Sequence, residues 1–218
     1  MTTLIKICGI TNPDDAHAAV EAGATALGFM FYEPSSRFIS HQMAREIICG
    51  LPPFVTTVAV LVNHSIRETS QLLDAVPVNI LQLHGDESPE HCDACGYPYV
   101  KVIRADSVID ACRQAQKYPG ARAFLFDTLV HDQYGGTGES FEWQPLPDTL
   151  ARPVILAGGL TEDNVAYAIS TVRPYAVDVS SGVEMNRGRK DTLKMRRFIE
   201  AVRLADTSIF EGNDEIRQ

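Results

Sequence analysis

Short apolar runs alternate with amphipathic stretches along almost the whole chain. Runs at 4–8, 26–31, 57–62, 80–84, 99–104, 123–127, 153–157 and 176–180 read as strands. Helical patterns at 13–22, 41–49, 66–75, 89–95, 107–118, 141–150, 162–172 and 191–205 fall between and after them. Strict alternation predicts a parallel sheet covered by helices. Eight such units with no break in composition favour a closed (β/α)8 barrel over an open doubly wound sheet, and place one domain over 1–205. The chain is short for a barrel, so its loops must be lean. The longest connection, 128–140, carries Gly135-Gly136-Thr137-Gly138 and reads as a mobile cover. Residues 206–218 are polar and aperiodic, and are expected to form a surface extension or a frayed tail.

In such a barrel the C-terminal strand tips and the loops after them form the active face. Residues two apart on a strand share a side. In the first strand Ile5 and Ile7 suit the helix-packed exterior, so Lys6 and Cys8 point inward with Cys8 uppermost. The same alternation turns Leu125 and Asp127 inward from "AFLFD", Asp178 and Ser180 from "AVDVSS", and places Gln82 and His84 on one inner face. A thiol and a carboxylate thus converge on one mouth. Taken alone, Cys8 is a small buried hydrophobe; its place at a tip, with Asp127 at another, favours chemistry. Lys6 has two readings of equal standing. It lowers the thiol pKa as a neighbouring cation, or it pairs with Asp178 on the adjacent strand. Gly9 and Gly28 suit turn or packing roles, and Gly9 also removes bulk beside the thiol.

The glycine-rich tips suggest an anion site. "LAGGLTEDN" places Gly158 and Gly159 after the seventh strand, with Thr161 positioned to cap the next helix. "DVSSGVE" places Ser181 and Gly182 after the eighth. Backbone N–H groups in these two loops form the recurrent phosphate site of the fold. Arg37, in "EPSSRFIS", is either a solvated surface residue or a bidentate clasp for a carboxylate. Arg104 is a further possible cation at a tip. Cys92 and Cys95 form a single CxxC without a second pair, which makes a structural zinc site a poor expectation.

Composition narrows the partners. The 218 residues carry a formal charge of −9, which argues against nucleic acid or an anionic membrane surface. An anionic small ligand then depends on local donors such as those above. No segment has the apolar length to span a bilayer, and the N-terminus lacks the pattern of a secretory leader. Five cysteines, an odd number, suggest reduced thiols in a cytoplasm.

"KICGIT", "LGFMFYEPSSRFIS", "LQLHGDE", "FLFDT" with "GGTGESFEW", "LAGGLTEDNV", and "DVSSGVE" with "GRKD" follow in an order and spacing that resemble the phosphoribosylanthranilate isomerase family of tryptophan biosynthesis. The resemblance implies a cofactor-free barrel, a monomer or homodimer, acting on a phosphorylated small molecule. It implies an Amadori rearrangement of N-(5-phosphoribosyl)anthranilate to 1-(2-carboxyphenylamino)-1-deoxyribulose 5-phosphate. It implies Cys8 as general base, Asp127 as general acid, Arg37 on the anthranilate carboxylate, and Gly158, Gly159, Ser181 and Gly182 on the phosphate. His84 and Asp178 complete the substrate-binding candidates. Ser36, Glu142 and Glu162 depart from residues frequent in the family, which touches affinity more than reaction type. To donate a proton, Asp127 must be protonated at working pH, so a setting that raises its pKa is expected. Two rivals remain: another phosphosugar isomerase on the same barrel, or a silent barrel that binds a phosphorylated ligand without turnover.

Overall fold

A computed structural model describes residues 2–105, 107–128, 143–147, 150 and 152–215. Eight parallel strands pair in chain order: β1 Leu4–Cys8, β2 Ala26–Met30, β3 Thr56–Leu61, β4 Ile80–Leu83, β5 Tyr99–Ala105, β6 Ala123–Thr128, β7 Val154–Ala157 and β8 Ala176–Val179. Pairing of β1 with β8, Lys6 opposite Asp178, closes the barrel. Seven helices lie among the described residues: α1 Pro13–Ala22, α2 His41–Cys49, α3 Ile66–Ala75, α4 Pro89–Ala94, α5 Val108–Ala115, α6 Val165–Val172 and α7 Thr192–Glu215. After β8 come a single 3-10 turn, Ser181–Val183, and a small antiparallel hairpin of β9 Glu184–Asn186 and β10 Arg189–Lys190.

Helix starts follow local chemistry. The side chains of Asn12, Ser40, Ser65, Ser88 and Ser107 each accept a hydrogen bond from a backbone N–H of the first turn. Ser65 and Glu68 form a reciprocal capping box. The larger core lies between strands and helices, where Ile5, Ile7, Leu27, Phe29, Phe124 and Phe126 meet the helical layer. A smaller apolar cluster of Val100, Val102, Ala123, Leu125 and Ala157 fills the barrel itself. The inward and outward phases expected from period-2 alternation are those observed.

Three expectations are corrected. The helix expected over 141–150 is absent from its described part: residues 143–147 are irregular. Pro145 and Pro147 each remove a backbone donor and disfavour helical geometry in the preceding residue. α6 begins at Val165, not 162, behind a turn over 162–164. α7 continues past Ala205 to Glu215, through most of the expected tail. Asp206 is buried in this helix, and its carboxylate accepts from the N–H and the hydroxyl of Thr3 at 2.8 and 2.7 Å. A polar residue at a buried position interrupts the apolar period that would have signalled continuation. The cover expected over 128–140 lies, apart from Thr128, outside the described residues.

Candidate active site

β1 presents Lys6 and Cys8 to the barrel interior. The Lys6 ammonium lies 2.9 Å from Asp178 Oδ1, with both groups buried. Lys6 also lies against the thiol. Gly28 is the register partner of Cys8, and a Cβ there would meet Cys8 Sγ at 2.8 Å and Lys6 Nζ at 3.0 Å. The absent side chain thus leaves room for both groups. The two readings of Lys6 hold together: it pairs with Asp178 and it borders the thiol. Burial pushes the Cys8 thiol up from its ordinary value, and the Lys6 cation opposes that rise without cancelling it. For Lys6, burial favours loss of the proton, but Asp178 and Cys8 outweigh it and hold its pKa up.

Asp127 reaches the same mouth from β6. His84 Nε2 lies 3.4 Å from Asp127 Oδ2, and His84 Nδ1 lies 3.3 Å from the Gln82 side-chain nitrogen. Through these two contacts His84 links Gln82 to Asp127 along the barrel mouth. Arg104, the additional cation considered above, donates from Nη2 to the backbone carbonyl of His84 at 2.7 Å and does not line the cavity.

A cavity of about 250 Å³ opens at this end of the barrel. Cys8, Arg37, His84, Asp127, Gly158, Gly159, Asp178, Ser181 and Gly182 all line it. Gly158 and Gly159 have φ of 84° and 61°, a region where a side chain is strained. Thr161 does not cap α6; its hydroxyl accepts from the N–H of Asp163 at 3.3 Å. Asn164 braces the loop instead, accepting from the Thr161 N–H at 2.8 Å and donating to the Gly159 carbonyl at 2.9 Å. Ser180 donates to the Cys8 carbonyl at 3.1 Å, tying the tips of β8 and β1 together.

Arg37 makes a bidentate clasp, but within the protein. Nε and Nη2 donate to the two carboxylate oxygens of Glu184 at 2.7 and 2.8 Å. Lys190 donates to the same carboxylate at 2.9 Å and to the Ser180 carbonyl at 3.2 Å. Burial alone would push the Glu184 carboxyl up; Arg37 and Lys190 outweigh it and hold it below the usual carboxylate range. The room at Gly9 goes to this arginine rather than to the thiol, because a Cβ there would meet Arg37 Cδ at 2.5 Å. Sequence reasoning missed Glu184, Lys190 and Asn164. Glu184 and Lys190 stand inside the quoted motifs "DVSSGVE" and "GRKD", but nothing in local spacing joins Glu184 to an arginine 147 residues away. Cys92 lies on α4, its thiol pushed up to about 12 by burial, and neither it nor Cys95 lines the cavity.

Residues 5–201 match the model of the family described as N-(5'phosphoribosyl)anthranilate (PRA) isomerase. The N-(5'-phosphoribosyl)anthranilate isomerase of Pseudomonas fluorescens (strain Pf0-1) is 54% identical over 201 residues, covering 91% of this chain and 97% of that protein. That of Pseudomonas syringae pv. tomato (strain ATCC BAA-871 / DC3000) is 53% identical over 197 residues, covering 90% and 96%. The crystal structure of phosphoribosyl anthranilate isomerase from Thermotoga maritima superposes with a TM-score of 0.82 at 39% identity, covering 93% of this chain and 99% of that one. A structure of phosphoribosyl anthranilate isomerase in complex with reduced 1-(o-carboxyphenylamino)-1-deoxyribulose 5-phosphate gives 0.80 at 36% identity, with the same coverage.

Proposed function

Because the chain belongs to the N-(5'-phosphoribosyl)anthranilate isomerase family, we propose that it converts N-(5-phosphoribosyl)anthranilate to 1-(2-carboxyphenylamino)-1-deoxyribulose 5-phosphate by general acid–base catalysis. The observation that carries this reading is one cavity lined by a thiol, a carboxyl and two glycine-bearing loops.

Asp127 gives a proton to the ring oxygen of the aminosugar, the ring opens, and an iminium forms at the carbon bearing nitrogen. That electron sink acidifies the adjacent carbon. The Cys8 thiolate takes its proton, the electron pair moves toward nitrogen, and the resulting enolamine tautomerises to the ketone. His84, with Nε2 3.4 Å from Asp127 Oδ2, orients the acid. A buried thiol is a stronger base once ionised but is ionised in fewer molecules. Lys6 acts on that balance, favouring the thiolate. Backbone N–H groups around Gly158, Gly159, Ser181 and Gly182 hold the phosphate, Arg37 holds the anthranilate carboxylate, and Asp178 acts from beneath. Anchors at both ends fix the reacting carbons between base and acid.

The same reading takes the protein as a cytoplasmic monomer or homodimer. One solved relative is described as mutually generated monomers of dimeric phosphoribosylanthranilate isomerase from Thermotoga maritima.

The test is a coupled turnover assay with freshly generated phosphoribosylanthranilate. Turnover with release of the deoxyribulose phosphate product is expected. Tight binding without turnover would make this a silent phosphosugar-binding barrel. Turnover confined to another phosphosugar would place it with a related isomerase.

A further inference from the structure

The hairpin of β9 and β10 lies against the loops that follow β1 and β2. Thr11 donates to the Gly188 carbonyl at 2.6 Å. Gly188 has a φ of 81°, and a Cβ there would meet the Ser36 carbonyl oxygen at 2.7 Å, so glycine lets the hairpin turn approach the arginine loop closely. Each strand contributes one buried charge. Glu184 from β9 takes Arg37 through two parallel bonds. Lys190 from β10 holds Glu184, and its own N–H donates to Asp15 of α1 at 2.8 Å. Side-chain exposure is 24% for Arg37, 5% for Glu184 and 0% for Lys190. The two deeper groups are therefore structurally committed, while Arg37 keeps an exposed part and lines the cavity.

We infer that Glu184 and Lys190 are positioning residues that aim Arg37 across the mouth, and that the hairpin thereby sets selectivity for a carboxylate-bearing substrate. This rests on the function proposed above. An arginine side chain has many rotamers, and fixing it before binding lowers the cost of ligand capture. With Nε and Nη2 held by Glu184, Nη1 has no acceptor among the described residues. A carboxylate paired with arginine would by itself cancel the charge needed to attract an anion. Lys190 counters this: it shares the Glu184 carboxylate with Arg37, so that carboxylate does not offset Arg37 alone. The chain of contacts then passes from Lys190 to Ser180, and from Ser180 to the carbonyl of Cys8.

The experiment compares wild type with Glu184→Gln and Gly188→Ala in the full chain. Glu184→Gln keeps the size of the side chain and removes its charge. Gly188→Ala pushes the hairpin from Ser36 without altering any charge. Readouts are kcat and KM for freshly generated phosphoribosylanthranilate, and affinity for two probes: the reduced carboxyphenylamino product analogue and ribulose 5-phosphate. Loss of a charge-assisted hydrogen bond predicts a rise in KM of about tenfold for Glu184→Gln, with kcat changed by less than about threefold. Affinity for the analogue falls in parallel, while that for ribulose 5-phosphate is unchanged. Gly188→Ala shows the same selective loss to a smaller degree. Equal losses for both probes, no loss for either, or failure of both variants to fold (followed by circular dichroism) would make the hairpin mere scaffold and overturn the inference. Wild type without turnover would sink the proposed function, and the inference with it. Wild type with turnover and variants indistinguishable from it would sink the inference alone.

Discussion

Of the three buried lysine–carboxylate pairs at 2.9 Å among the described residues, Lys6–Asp178 and Lys101–Glu87 face opposite sides of the barrel wall, and their surroundings differ. Lys101 shares the outward face of β5 with Tyr99 and Ile103, and its ammonium donates to Glu87, to the Leu83 carbonyl and to the Gly85 carbonyl. Glu87 also accepts from the N–H groups of Asn63 and Gly85. Every proton of that ammonium has an acceptor, and the connection after β4 is drawn tight. Lys6 faces inward, makes one strong bond to Asp178, and spends its remaining field on Cys8. Between these two pairs, saturation of hydrogen-bonding capacity rather than burial separates the one that holds a loop from the one that borders the thiol.

The largest effect is expected on the saturated side. Lys101→Met leaves Glu87 buried without its cation and should cost about 3–5 kcal/mol of stability, measured by denaturant unfolding. Burial would raise the Glu87 carboxyl, but Lys101 and the backbone donors hold it lowered. Its contribution is therefore complete above the unfolded carboxylate pKa of about 4.3 and disappears as pH falls through the lower folded value. A loss below about 1 kcal/mol would remove the contrast between the pairs.

Next come the reacting groups. Cys8→Ala and Asp127→Asn should each reduce kcat by at least about 10²-fold while leaving binding of the product analogue largely intact. Near-normal turnover in either variant would refute the corresponding role. On the inward pair, replacing Lys6→Met together with Asp178→Asn avoids stranding a charge and tests the field on the thiol. In wild type, the rate of Cys8 alkylation, which reads the thiolate directly, should climb with pH beyond the ordinary thiol value of about 8.5, because burial holds Cys8 above it. In the double variant that limb should move to still higher pH, because the Lys6 cation that favours the thiolate is gone. An unmoved limb would place the inward pair beside the outward one, as structure alone. The effect of Arg37→Ala falls on binding rather than rate: affinity for the carboxyphenylamino analogue should drop at least about tenfold, no less than for Glu184→Gln, and by more than that for ribulose 5-phosphate, measured by calorimetry. Parity between the two ligands would contradict a carboxylate clasp.

Local periodicity carried the barrel and its phase. A period of two decides which side of a strand each residue occupies, so the inward placement of Lys6, Cys8, Asp127 and Asp178 was legible along single strands, as was the glycine character of the loops after β7 and β8. The irregular course of 143–147 has its signal in Pro145 and Pro147, which a reading of apolar periodicity alone passes over. What tertiary structure alone decided are pairings between residues far apart in the chain: Arg37 with Glu184, Lys101 with Glu87, and Asp206 with Thr3 at the foot of β1. A buried polar group is stable only with its partner in place, and from one strand or helix it looks like a break in the pattern. Only closure of the chain into a barrel supplies the partner.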